Sequence, residues 1–481
     1  MIIRPDSGLT FDDVLLVPKR SAIRSRSEVD TTAWLVGEIH LFIPLISANM
    51  DTVTESAMAI SMAQAGGLGV IHRFMPIERQ AEAIRRVKRA ESFVVEHPAT
   101  IGPEVNLEEA RGRMAKADIG GLVVVDEDGC LLGILTARDV LLAPDTRAQV
   151  RSVMTPRDRM VVAPIDEPLD KAKITLHDRR IEKLPLVDAE DHLVGLITAQ
   201  DIIKLQEHPR ATKDKRGHLR VGLAVGVRPE DMERAAAGLE AGADVIVVDI
   251  AHGHADHVMD MVRRLKHNFP KAPVIAGNVA TPEGVCDLAE AGADAVKVGV
   301  GAGSICTTRI VTGFGVPQLT AIIECAEVGR RMGIPIIADG GVRNSGDITK
   351  ALAAGAHSVM IGNLLAGTDE SPGASVVRDG RRYKVLRGMA SLSANVARKE
   401  VDQKGEIDPN EWEKVVPEGV EALVPFRGAV GDILHQLVGG LRSAMSYAGA
   451  KTLEELHQNA EFVRITAAGI KESSSHDVSL L

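Results

Sequence analysis

Ala291-Gly292-Ala293-Asp294-Ala295-Val296-Lys297-Val298-Gly299 joins the end of one helix to the start of one strand. Glycine directly after a run of helix formers ends a helix at little cost, because it enters the left-handed conformation without a Cβ clash. The short, mostly apolar run behind it has the pattern of a parallel strand covered on both faces. The same unit returns as Ala241-Gly242-Ala243-Asp244 ahead of 245–249 and as Ala354-Gly355-Ala356-His357 leading into 357–361. Working outward, strands of this kind are predicted at 43–47, 68–71, 221–225, 245–249, 273–277, 295–299, 334–338 and 357–361. Helices are predicted over 229–241, 282–291 and 346–354. Eight such units predict an α/β fold, a TIM (β/α)8 barrel. A doubly wound sheet would need a Gly-x-Gly-x-x-Gly turn after an early strand, and none follows one here.

The alternation breaks between strands two and three, where residues 95–208 hold an internal duplication. Val123-Val124-Val125-Asp126 leads to Gly133-Ile134-Leu135-Thr136-Ala137-Arg138-Asp139-Val140, and Leu186-Val187-Asp188 leads to Gly195-Leu196-Ile197-Thr198-Ala199-Gln200-Asp201-Ile202. The copies are too far apart for a solenoid repeat and suit a paired small domain. The expected organisation is 1–94 as the first part of the barrel, 95–208 as the insert, and 209–481 as the remaining barrel.

Composition narrows the class. The 481 residues are 45% apolar and 25% charged, with a formal charge of −10. That excludes disordered, collagen-like and disulfide-scaffold chains. The acidic balance argues against a broad nucleic-acid or anionic-membrane surface. Cys130, Cys286, Cys306 and Cys325 form no CxxC pair and read as reduced thiols. No apolar run approaches the roughly 18 residues of a membrane span, and the N-terminus lacks a signal-peptide layout. A cytoplasmic enzyme with no membrane and no nucleic-acid partner is expected.

Three loops carry chemistry. Lys297 through Arg309 ends strand six with glycines at 299, 301 and 303, suited to close backbone approach to a ligand or ion. Cys306 stands there beside Thr307, Thr308 and Arg309. It reads either as a small packing residue or as an activated nucleophile. Asp339-Gly340-Gly341-Val342-Arg343-Asn344-Ser345-Gly346 and Gly362-Asn363 follow strands seven and eight, the positions at which a barrel commonly binds phosphate. Asp339 is placed to accept hydrogen bonds from ribose hydroxyls. Tight turns are the plainer reading of both loops.

The whole chain resembles the inosine-monophosphate dehydrogenase and guanosine-monophosphate reductase superfamily. The resemblance rests on Leu9-Thr10-Phe11-Asp12-Asp13-Val14-Leu15-Leu16, Asn49-Met50-Asp51-Thr52-Val53, the Gly303–Arg309 loop, Asp339–Ile348, Leu364–Gly373, Arg387–Ser391 and Pro417-Glu418-Gly419. It implies that Cys306 attacks purine C2, with Thr308 and Glu418 as its catalytic partners. It implies a substrate site of Ser47, Met50, Ser304, Asp339, Gly341, Gly362, Asn363, Gly388, Met389 and Glu418. It places Asp249, Asn278, Gly299 and Gly301 at a nicotinamide dinucleotide, and assigns carbonyls of Gly301, Gly303 and Cys306 to a monovalent cation, usually potassium. A tetramer that pairs into an octamer is the implied assembly. Each copy of the duplication resembles a cystathionine-β-synthase-type (CBS) motif, and the two together a Bateman domain. Thr136 with Asp139 and Thr198 with Asp201 would then hold regulatory ATP or GTP; two ligand-free structural modules are the alternative.

Within the family, the residues side with a reductase. Dehydrogenases hydrolyse the covalent adduct with an Arg-Tyr pair on a flap. The corresponding 391–417 has Arg398 and no Tyr, since the chain's two tyrosines are Tyr383 and Tyr447. Ala48-Asn49-Met50-Asp51, Asp249-Ile250-Ala251 and Ala276-Gly277-Asn278 also resemble reductase versions. The duplicated insert and the C-terminal Phe462–Val478 look dehydrogenase-like. Leu386, Ala302 and Ala390 replace a Tyr, a Pro and a Gly common in the family. The mixture resembles an actinobacterial-type reductase that retains the CBS pair: NADPH-dependent deamination of GMP to IMP and ammonia in purine salvage. IMP dehydrogenase with NAD, and a nucleotide-sensing protein of weak turnover, are the alternatives.

Overall fold

The computed structural model describes residues 3–4, 7–91, 94–96, 98–117, 119–165, 167–200, 202–203, 208–394, 396 and 416–473. It divides into two compact units, one of 1–90, 210–213 and 219–481, the other of 91–209 and 214–218.

In the larger unit, eight parallel strands close a barrel: β1 (Leu45–Ser47), β2 (Leu68–Ile71), β3 (Val221–Val225), β4 (Val245–Asp249), β5 (Val274–Val279), β6 (Ala295–Val298), β7 (Ile336–Asp339) and β8 (Ser358–Ile361). All eight predicted strands are present, three with the predicted bounds and five shifted by a residue or two at their ends. β5 runs past its predicted end because its pairing with β6 shifts register between Gly277 and Val279, a bulge that takes Asn278 out of the ladder. Helices cover the outside, among them Glu230–Glu240, Pro282–Glu290 and Ser345–Ala353. The glycines expected to stop helices do so with left-handed φ: +99° at Gly242, +106° at Gly292 and +107° at Gly355.

Side chains fill the barrel, with Ile46, Leu68, Val70, Ala224, Val247, Ile275 and Ile337 in one buried cluster. An antiparallel hairpin, Ala33–Val36 with Ile39–Leu41, contributes Leu35, Val36, Ile39 and Leu41 to the same cluster. The C-terminal strand ends are thereby left as the open rim.

The smaller unit shows the duplication directly. Gly121–Val125 pairs antiparallel with Leu131–Thr136, and Lys183–Val187 with Leu193–Thr198. Gly121 faces Thr136 and Lys183 faces Thr198, and both ladders shift register at the same point, between 124 and 125 and between 186 and 187.

His357, just ahead of β8, is packed edge-on against Trp34 and His457, and its Nδ1 accepts from the Ile336 N–H at 3.2 Å. Burial pushes its imidazole down to about 4, aided by His457 and Arg330. An unfolded histidine titrates near 6.5, so below that pH the unfolded chain binds a proton that the fold refuses. The stability involved is complete above about pH 6.5 and is lost as pH falls toward 4, up to about 3 kcal/mol. Melting temperature should therefore drop between pH 7 and 4.5, and His357→Gln should drop less. Equal slopes for both proteins would remove His357 from the account.

Candidate active site

A cavity of about 490 Å³ opens at the rim. Met50, Asp249, Gly301, Gly303, Ser304, Cys306, Thr308, Asp339, Gly341, Gly362, Asn363, Gly388, Met389 and Glu418 line it. Ser47, Asn278 and Gly299 do not. Ser47 is fully buried, its hydroxyl accepting from Thr54 at 2.9 Å. Asn278 donates to the Gly299 carbonyl at 2.8 Å and to Asp339 Oδ2 at 3.0 Å. Gly299 turns at φ +154°, where a Cβ would fall 1.9 Å from the Asp339 carbonyl oxygen. These two therefore shape the wall from behind.

Cys306 is held by local turns and by a crossing segment. Its N–H donates to the Gly303 carbonyl at 3.1 Å. Glu418 is fixed by its backbone, donating to the Ala390 carbonyl at 3.0 Å and accepting from the Thr307 N–H at 2.8 Å. That registration delivers its carboxylate to the Thr308 hydroxyl, which donates to Oε2 at 2.8 Å. The Cys306 thiol in turn donates to Thr308 Oγ1 at 3.1 Å. A continuous path thus runs from thiol to hydroxyl to carboxylate. The other cysteines lie elsewhere: Cys325 is buried in the helix Gln318–Met332, Cys286 sits in Pro282–Glu290, and Cys130 takes a turn ahead of its strand, donating to Asp126 Oδ1 at 2.8 Å.

Beneath the cavity lies a charged cluster centred on a residue to which the sequence reading gave no role. Lys297 of β6 is only 1% exposed. Its ammonium donates to Asp249 Oδ1 at 2.7 Å, to Asp339 Oδ2 at 2.8 Å, and to Asn278 Oδ1. Burial would lower its pKa, but the two carboxylates outweigh it and hold the lysine above its usual value. Burial would likewise raise Asp249, but Lys297 reverses that and keeps the carboxyl below its ordinary range, with Asn49 and Arg73 assisting. The available signal was a lone lysine inside an otherwise apolar buried strand.

The glycine cradle after β7 holds Gly340 and Gly341 at φ +99° and +80°, backbone that a residue with a Cβ rarely adopts. Asn344 caps the next helix, its side chain accepting from the Asp347 N–H at 3.0 Å. Arg343 is taken by Asp12, with Nη1 donating to Oδ2 at 2.9 Å. Leu386 lines the cavity while buried in its own strand.

In the smaller unit, Thr136 and Asp139 bond to each other: Oγ1 donates to Oδ2 at 2.6 Å and the Thr136 N–H donates there at 2.8 Å. This capping box starts the helix Ala137–Leu142. Thr198 ends its strand; Asp201, like Arg398, lies outside the described residues.

A family model described as IMP dehydrogenase / GMP reductase domain matches residues 8–476. The chain belongs to the IMP dehydrogenase / GMP reductase family. It is 53% identical to the inosine-5'-monophosphate dehydrogenase of Aquifex aeolicus over 98% of this chain and 96% of that one. It is 49% identical to the GMP reductase of Leishmania major over 98% of each. Among solved structures it superposes at TM-score 0.86, with 47% identity and 98% coverage of both chains, on a cysteine-to-alanine GMP reductase from Trypanosoma brucei in complex with guanosine 5'-monophosphate. The same protein with guanosine 5'-triphosphate gives TM-score 0.75 at 43% identity, covering 96% of this chain and 98% of that one. This family member is an oxidoreductase built on a TIM barrel, and no described helix is long and apolar enough to cross a membrane.

The geometry separates the thiols. Burial pushes the Cys325 thiol up to about 12, whereas Cys306 has an acceptor for its proton. Iodoacetamide at pH 7.5 should modify Cys306 and spare Cys325, by peptide mass mapping. Glu418→Gln should slow Cys306 modification several-fold. An unchanged rate would show that no proton leaves the thiol by this path.

Proposed function

We propose that this family member reduces GMP to IMP and ammonia with NADPH, through a covalent adduct of Cys306 at purine C2. The observation that carries the direction is the absence of tyrosine from 391–417; the unbroken Cys306–Thr308–Glu418 chain on the cavity wall supports the covalent step. Cys306 adds to C2 as its proton passes through Thr308 to Glu418. The same path returns a proton to the 2-amino group, which departs as ammonia and leaves a thioimidate. NADPH, when bound, supplies the hydride to C2. Breakage of the C2–S bond then restores the Cys306 thiolate and releases IMP. Asp339 and the glycine cradle would hold the ribose phosphate, with Met50 and Met389 against the base. Asp249 and Gly301, on the cavity wall, would meet the dinucleotide; Asn278 and Gly299 would support them.

The absence of a flap tyrosine favours ammonia release over hydrolysis. Tyr383 lies in the strand Arg381–Arg387 and Tyr447 in the helix Val430–Ala448, and neither lines the cavity. The IMP dehydrogenase reading is favoured by the identity to the Aquifex enzyme. The two readings separate in one assay. GMP with NADPH should yield ammonia and IMP. IMP with NAD should yield xanthosine monophosphate about 10²–10⁴-fold more slowly, for want of a positioned base. Cys306→Ala should abolish turnover and keep GMP binding. Faster IMP oxidation than GMP reduction would replace the reductase assignment with the dehydrogenase.

A monovalent cation such as potassium would use the Gly301, Gly303 and Cys306 carbonyls. The smaller unit would act as a CBS pair, with Thr136 and Asp139 exchanging part of their mutual bonding for a nucleotide. A relative solved with guanosine 5'-triphosphate, neither substrate nor product here, supports a second nucleotide class. The working form would be a homotetramer or octamer. Replacing 95–208 by a short linker should leave a barrel that turns over but no longer responds to ATP or GTP, because a ligand shifts an equilibrium only through the site it binds. Equal responses in both proteins would move regulation to the barrel.

A further inference from the structure

We propose that Lys297 is a positioning residue that ties the nucleotide-side carboxylate Asp339 to the cofactor-side carboxylate Asp249, so that both ligands depend on one buried ammonium. The proposal rests on the reading of those two aspartates given under the proposed function. An ammonium has three N–H donors, and here each meets a side-chain oxygen: Asp249 Oδ1 at 2.7 Å, Asp339 Oδ2 at 2.8 Å and Asn278 Oδ1. The three acceptors come from the end of β4, the bulge of β5 and the end of β7, and the lysine comes from β6 between them. Four consecutive strands are thus cross-linked at the level where the cavity begins.

The arrangement holds because the ammonium has no water to turn to, while each carboxylate is only partly exposed. Lys297 is buried, and a buried lysine without a task is a poor stabiliser compared with an apolar residue of its size. Both carboxylates line the cavity, so each has a bound side, facing Lys297, and a side directed at ligand. Asn278 completes the linkage by donating to Asp339 Oδ2 at 3.0 Å while accepting from the lysine. Gln318 holds the Asp339 backbone from behind, donating to its carbonyl at 3.1 Å. Asp249 also faces Asn49 and Arg73. Without the ammonium, two carboxylates share one site with no cation between them, an arrangement that disfavours their both being ionised.

The test compares Lys297→Met, Asp339→Ala and Asp249→Asn with the unaltered protein, by calorimetric titration of GMP, IMP and NADPH from pH 6 to 8.5. Lys297→Met should weaken nucleotide and cofactor together by tenfold or more. It should also add a pH dependence, with nucleotide binding tightening as pH rises more steeply than in the unaltered protein, where the phosphate's own ionisation at about pH 6 is the common background. Adding Asp249→Asn to Lys297→Met should flatten that dependence, since Asp339 no longer shares its charge with a neighbour. A residue that merely filled space would lower the melting temperature without altering the pH profile. If Lys297→Met does not fold, Asp249→Asn alone decides: nucleotide affinity should fall at least threefold although Asp249 lies on the cofactor side, and unchanged affinity overturns the proposal. If Asp339→Ala weakens GMP while Lys297→Met leaves both ligands untouched, the coupling is overturned and the site reading stands. If Asp339→Ala binds GMP normally, the site reading fails and the proposal with it. Using IMP beside GMP keeps the result independent of which way the reaction runs.

Discussion

Closure of the barrel depends on a pairing between segments that the chain itself keeps far apart. Leu68–Ile71 must lie against Val221–Val225, in the register Val221 to Gly69, Gly222 to Val70 and Leu223 to Ile71. Gly222 makes the approach possible, for a Cβ there would stand 3.0 Å from a Val70 methyl group. With that seam made, every strand contributes its C-terminal residue to one rim. The aspartates of β4 and β7, the cysteine loop after β6 and the glycine cradle after β7 become neighbours. Without it, none of them shares a site.

The elements legible in the sequence were those whose physics is local. A parallel strand buried on both faces must be a short apolar run, and a helix that stops on glycine announces its end; all eight strands were found by those signs. The cysteine loop and the two glycine loops followed because barrel chemistry sits after strand ends, whereas Met389 and Glu418 came from the family resemblance alone. Long-range partnerships stayed hidden. Lys297 was readable as a charge in a buried strand, but its three acceptors come from three other strands. Asn278 and Gly299 sit beside the cavity wall, yet the register shift in β5 and the crowding at Asp339 turn them to support. The Thr136–Asp139 pair has a local duty as a helix cap, which its spacing alone did not separate from ligand binding.

The comparisons and the geometry answer different questions. The chain is 53% identical to a dehydrogenase and 49% identical to a reductase, so overall likeness does not choose between the two. What distinguishes the two chemistries is where a proton and a water are handled, a matter of a few side chains. The thiol–hydroxyl–carboxylate path belongs to the shared part of the reaction. A tyrosine placed to recruit water would belong to the divergent part, and this chain's two tyrosines, in the strand Arg381–Arg387 and the helix Val430–Ala448, are not on the cavity wall.

Glu418 reaches Thr308 from a segment that main-chain bonds suspend between Ala390 and Thr307 and pair with the cysteine loop at Gly419 and Val420. The carboxylate therefore belongs to a latch and not to the barrel frame. Whatever parts those two backbone bonds withdraws the proton acceptor in the same movement, leaving the thiol in place but disarmed. The sulfur's outlet for a proton and the segment that runs beside it are thus one piece of chain. A nucleophile wired in this way would lose its proton acceptor with any movement that parted those bonds, and the wiring needs no residue beyond those already at the site.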